Sequence, residues 1–116
     1  MQVQAITRNV KMSAQKMREV VRQIQGLSAV DAQAVLAVVP RKSARFVAKT
    51  LKSAIANAED QARTRKISQF KPEHLRVHSA VAGTATSIKR FTPKARGSAG
   101  PIVKRFCHIK IVLSDE

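Results

Sequence analysis

Six cations fall within one short stretch, Lys89, Arg90, Lys94, Arg96, Lys104 and Arg105, and no acidic residue lies among them. Lysine and arginine side chains in such numbers do one kind of chemistry well: they neutralise phosphates. The segment holding them, Ile88 to Phe106, also contains Pro93, Pro101, Gly97 and Gly100, so it builds neither a helix nor a core. Two β-prone runs, Thr86 to Phe91 and Ile102 to Cys107, bracket its Pro/Gly/Ser centre and predict a hairpin with a long loop. An isolated two-stranded ribbon is marginal in water, and this one repels itself, so it calls for a polyanion around it. At about 3.4 Å per residue, an arm leaving near Gly83 and turning near Ser98 spans on the order of 40 to 50 Å. Pro93 and Pro101 lack the N–H that a third strand would need, which leaves the arm edges unpaired.

Other residues suggest chemistry that their surroundings do not support. Ser13 and Lys16 match the S-x-x-K spacing that sets an amine beside a serine nucleophile, but the companion motifs are absent. His74 and His78, with Cys107 and His108, are the available metal ligands, without a Cys-x-x-Cys or a carboxylate pair near them. Gly97 and Gly100 do not open a helix and so make no dinucleotide loop. The expectation is a protein with no catalytic residue, no metal, no cofactor and no small-molecule substrate. One cysteine excludes an internal disulfide.

The remaining elements must carry the arm. The chain has 116 residues, with 22 Lys and Arg against 7 Asp and Glu, a formal net charge of +15. Such a charge points to nucleic acid first and an anionic membrane second. No apolar run suits a membrane span and the first ten residues lack a signal-type hydrophobic region, so a cytoplasmic or other nucleic-acid compartment is expected. Val3, Ala5 and Thr7 alternate with polar neighbours as in a short strand. Ser13 opens a first helix with Met17, Val20, Val21, Ile24 and Leu27 on one face, Lys16, Arg18 and Arg22 on the other, and Gly26 as its stop. Ser28 opens a second helix that buries Ala32, Val35, Leu36 and Val39, and Pro40 suits the first turn of a third. That third helix, about Arg41 to Ala62, pairs an alanine-rich apolar stripe with a cationic one of Arg41, Arg45, Lys49 and Lys52. Residues 63–74 predict a linker ending at Pro72. Beyond it, Leu75, Val77, Ser79 and Val81 alternate with Arg76, His78, Ala80 and Ala82 in a strand that runs on into the arm. Cys107, Ile109, Ile111 and Leu113 alternate around Lys110 in the return strand.

Together these predict an α+β fold, with three helices packed on a small three-stranded antiparallel sheet and a long protruding basic β-hairpin. The whole chain, 1–116, is expected to form a single nucleic-acid-binding domain: a body of 1–82 and 107–116, and an arm of about 83–106. With no Trp or Tyr and four Phe, stacking on bases is a minor term next to phosphate and shape contacts. Phe91 and Phe106, symmetric about the tip, are expected either to face each other and brace the arm where it leaves the sheet, or each to pack on a partner of its own. A membrane-surface role is disfavoured by an expected lack of bulky apolar side chains among the arm cations. An architectural DNA-binding protein with a basic β-arm remains the alternative.

Four separated motifs in register, Lys52-Ser-Ala-Ile-Ala-Asn-Ala-Glu59, Lys89-Arg-Phe91, Pro93-Lys-Ala-Arg-Gly97 and Lys104-Arg105 followed by His108-Ile109, resemble the bacterial form of the family of large-subunit ribosomal protein twenty-two. Ser13-Ala-Gln-Lys16 resembles the start of that family's first helix. The resemblance covers essentially the whole chain. It implies a structural constituent of the large ribosomal subunit, located in the cytoplasm, that binds large-subunit rRNA, aids subunit assembly and neighbours other large-subunit proteins. Its hairpin threads between rRNA domains, and the tip lines the polypeptide exit tunnel near the nascent chain and close to where macrolides bind. The implied rRNA-binding residues are Lys89, Arg90, Lys94, Arg96, Lys104 and Arg105, to which the body adds Lys16, Arg18, Arg41, Arg45, Lys49 and Lys110. The implied tunnel-side tip is Ala95, Arg96, Gly97, Ser98, Ala99 and Gly100. The sequence departs from the family pattern at Gly83 to Thr86, at Phe106-Cys107, and at Thr92 and Ser98, where cations are frequent.

Overall fold

Three rows of side chains define the core, each crossing a sheet in which the C-terminal strand is central. The computed structural model describes residues 2–66, 71–93 and 95–115. Strand β1 (Gln2–Val10) and strand β2 (Arg76–Thr84) both pair antiparallel with β5 (Cys107–Ser114), giving the order β1-β5-β2. Leu113 lies between Val3 and Val77, Ile111 between Ala5 and Ala80, and Ile109 between Thr7 and Ala82. Large residues on the middle strand and mostly small ones on its flanks leave room for helices over one face. There lie α1 (Ala14–Ile24), packed on β2, and α3 (Lys42–Thr64), packed on β1 and β5, with α2 (Ala29–Val38) against α3. The α+β fold and the antiparallel three-stranded sheet expected from the sequence are present.

Local chemistry sets the helix ends. α1 buries Met17, Val20, Val21 and Ile24 at spacings of three, one and three. It stops where Gln25 turns extended and Gly26 takes φ +80°, a left-handed value that favours glycine. The Gly26 amide then donates to the Val77 carbonyl at 3.1 Å, and the Val77 amide donates to that of Leu27 at 2.8 Å. Ser28 caps α2 by accepting from the Asp31 amide at 3.2 Å. Of the residues expected inside α2, Ala32 and Leu36 are buried while Val35 and Val39 are only half-buried. Pro40 precedes the Arg41 cap of α3 and does not enter the helix. Along α3 the stripe Ala44, Val47, Leu51, Ala54, Ala58 and Ala62 is buried, its alanines allowing close approach to the sheet. Thr50 donates its hydroxyl proton to the Phe46 carbonyl at 2.9 Å, so Thr7 is the donor in the 2.7 Å contact between the two hydroxyls. The expected linker is helical as far as Thr64 and contains a 3-10 turn at Pro72–His74; its residues 67–70 lie outside the described ones.

Two bulges shift the inward phase of the strands. In β1, Arg8 and Asn9 stand opposite the single residue His108, with Asn9 at φ +56° and its amide donating to His108 Nδ1 at 3.1 Å. The extra residue turns Val10 inward, where it is 4% exposed. In β2 the register skips at His78. Ala80 and Ala82 are consequently buried and Val81 is half exposed, the reverse of what unbroken alternation from Val77 predicts.

Both outer edges of this sheet carry side-chain donors. Asn57 of α3 donates to the Gln4 carbonyl of β1 at 3.1 Å. On β2, Arg18 Nε donates to the Ala82 carbonyl at 3.0 Å and the Gln25 amide to that of Ala80. The arm is a separate two-stranded sheet, β3 (Ile88–Pro93) with β4 (Ala99–Lys104). β2 does not run on into it. Pairing lapses at 85–87 and 105–106, where the Ala85 amide donates to the Phe106 carbonyl at 3.1 Å. The whole measures 69 × 27 × 16 Å.

Truncating Leu51 to Ala is expected to cost about 2 to 5 kcal/mol, whereas Val81→Ala changes stability by less than about 0.5 kcal/mol; urea unfolding of the two variants checks the phase shift, and equal losses would put Val81 in the core. Burial also pushes the Cys107 thiol above its ordinary range, which disfavours the thiolate that reacts. An aromatic disulfide reagent is expected to modify Cys107 rapidly only after denaturant is added.

Candidate nucleic-acid interface

Pairing in the arm decides which cations share a side. Ile88 is opposite Lys104, Arg90 opposite Ile102 and Thr92 opposite Gly100; on the other face Lys89 meets Val103 and Phe91 meets Pro101. Each face thus mixes cations with apolar groups, and both are solvent-accessible. Lys89, Arg90, Lys104 and Arg105 are exposed, as are Ile88, Phe91, Ile102 and Val103, with Phe91 78% exposed. The expected shortage of bulky apolar side chains on the arm is therefore wrong. Strand parity in the sequence carried that signal, because a ribbon without a third layer hides neither face. The bracing expectation fails as well: Phe91 pairs with Pro101, while Phe106 lies beyond β4 at the arm root and is half-buried.

At the tip, Ala95–Gly97 turn through left-handed backbone, with Arg96 at φ +62° and Gly97 at φ +74°. Ser98 closes the turn, its hydroxyl donating to the Ala95 carbonyl at 2.9 Å. Ala95, Arg96, Gly97, Ser98 and Ala99 are exposed and Gly100 is buried. Lys94 lies outside the described residues.

The body adds cations in three places. Arg45, Lys49 and Lys52 are exposed along one side of α3. Arg41 stands at its start and pairs with Glu19 of α1. On α1, Lys16 and Arg18 are exposed near the arm root; Arg18 spends its Nε on β2, which fixes the stem of its guanidinium. Lys110 projects from the uncovered sheet face, flanked across the strands by Ile6 and Val81. The structure thus groups the arm set and the α1 pair toward one end and keeps the α3 row and Lys110 on separate surfaces.

Among the described residues no group of His, Cys, Asp and Glu is placed to hold a metal. Cys107 points into the core and the adjacent His108 out of it, and His78 sits in the bulge near the opposite end of β5. No helix among the described residues is long and apolar enough to cross a membrane.

The profile of the family described as ribosomal protein L22p/L17e matches residues 5–114. The chain belongs to this family. It is 48% identical over 115 residues to a protein of Opitutus terrae, covering 99% of this chain and 96% of that one. Identity is 43% over 116 residues to a protein of Methylacidiphilum infernorum and 40% over 116 residues to one of Akkermansia muciniphila, each covering all of this chain and at least 96% of the relative. All three relatives are named large ribosomal subunit protein uL22. Membership in L22p/L17e gives no support to the DNA-binding alternative. The Arg41–Glu19 pair is exposed on both sides and is therefore a weak contact. A double-mutant cycle on Arg41→Ala and Glu19→Ala is expected to return a coupling below about 1 kcal/mol in thermal or urea unfolding.

Proposed function

We infer that this chain is a structural, non-enzymatic constituent of the large ribosomal subunit, which binds large-subunit rRNA and contacts neighbouring ribosomal proteins. The body, 1–82 with 107–116, seats on RNA through Lys16, Arg18, Arg41, Arg45, Lys49 and Lys110. The arm, about 83–106, inserts between RNA segments, and the tip from Ala95 to Gly100 lines the path of the nascent polypeptide. One observation carries this reading: a ribbon cationic on both faces, free of carboxylates, exposing Ile88, Phe91, Ile102 and Val103 beside its charges. A partner on one side alone leaves half of these groups unused, whereas folded RNA enclosing the ribbon answers both faces. Phosphates neutralise the cations and release counterions, so affinity falls steeply with salt, while the apolar side chains fill the sugar and base surfaces between phosphates.

Sucrose-gradient separation of lysate after a high-salt wash tests it. The chain is expected to persist in the large-subunit fraction; release to the top of the gradient, or migration with DNA, removes the ribosomal reading. Replacing Arg90 and Arg96 by Gln is expected to lower incorporation into the subunit and to flatten the salt dependence of RNA binding by about 0.7 to 0.9 in log–log slope for each phosphate no longer neutralised, with body stability unchanged. An equal loss of body stability would count against arm-specific binding.

A further inference from the structure

Where the arm meets the body, a cleft of about 500 Å³ is lined by Ser13, Lys16, Arg18, Ser87, Arg105 and Phe106, among others. Its cations come from two sources: Lys16 and Arg18 from α1, and Arg105 from the two-residue link between β4 and β5. Among the described residues no carboxylate lines it. Arg18 is held in place through its Nε bond to Ala82, leaving its terminal nitrogens for another acceptor. Ser13, the cap of α1, does not cap: its hydroxyl accepts from no first-turn amide, and the oxygen is buried without a partner. A buried hydroxyl left so is costly, and the first-turn amides also lack acceptors within the helix. Lys16, Arg18 and Arg105 bring three cations here, the Gln15 amide and the Ser13, Thr84 and Ser87 hydroxyls can donate beside them, and a tetrahedral oxyanion supplies the acceptors for these groups.

We propose that this cleft seats one backbone phosphate of RNA, and that the phosphate pins the arm to the body. The assignment rests on the RNA-binding reading above and adds a location and a consequence. Both sheets lose their pairing at the joint, where the bond from Ala85 to Phe106 crosses between the links. A phosphate held at once by Lys16 and Arg18 on the body and by Arg105 on the link bridges the two parts, so RNA sets the angle of the arm as it binds.

The test is a titration of the full-length, isotope-labelled chain with inorganic phosphate at low ionic strength, followed by amide NMR, with residual dipolar couplings recorded for both sheets. Expected are saturating shifts concentrated at residues 14–16 and 105, weakened at least about tenfold by Arg105→Gln but not by Lys71→Gln, and one shared alignment frame for the two sheets at saturation. Non-saturating shifts spread evenly over all cations, or shifts that Arg105→Gln leaves intact, overturn the site. Saturation without any change in relative alignment overturns the pinning. Persistence of the chain in the large-subunit fraction alongside a silent joint would sink this proposal and leave the ribosomal reading standing; loss from that fraction would remove the reading itself.

Discussion

The pairing of β5 with both β1 and β2 is the constraint on which the rest depends. β5 is the last strand in the chain, yet it occupies the middle of the sheet, so neither flank acquires its partner until the arm has been traversed and the chain has returned. Ile109, Ile111 and Leu113 supply the large members of the three core rows, and α1 and α3 pack over them. The direction of the arm follows from this: its two strands lead from β2 and back into β5, so it can leave only from the Thr84–Cys107 end of the sheet.

Electrostatics then separates body from arm. The body tolerates its charge by spreading it over α1, α3 and the uncovered sheet face, whereas the arm concentrates cations on two faces of a ribbon with no internal acid to offset them. In water such a ribbon gains little from its own contacts. The cations and the apolar side chains between them stay exposed on both faces of that ribbon, without a layer of this chain to cover them.

Fold class was legible because the signals were local. Met17 to Ile24 and Ala44 to Ala62 carry helical spacing, Ser28 and Gly26 carry the cap and the stop, and Ile109 to Leu113 alternates cleanly. The bulges were not legible. Each depends on which partner residue is skipped, a property of the pair of strands, and only Asn9, a residue that tolerates positive φ, gave a local hint. One inserted residue at His78 is enough to exchange Val81 for Ala80 and Ala82. The cations of the candidate site could be named from type and spacing. That Arg41 is paired with Glu19, that Arg18 is tied to β2, or that Arg105 shares a cleft with Lys16 requires the three-dimensional path. Phe91 and Phe106 mark the same limit: symmetry about a loop in sequence says nothing of register until the turn length is known.

The side-chain donors along the sheet edges bear on how the free protein behaves before assembly. Asn57 occupies a carbonyl on β1, and Arg18 with Gln25 occupies two on β2, so the body offers a poor template for strand addition. The arm leaves its edges bare but interrupts them with Pro93 and Pro101 and surrounds them with like charge. Self-association through strand pairing is thereby blocked at one end by occupied acceptors and at the other by repulsion. The charge has a different consequence: a net +15 attracts polyanions without regard to sequence. In its charge distribution the chain is a folded head carrying a polyelectrolyte, with side-chain donors on the edges of one part and like charge along the other.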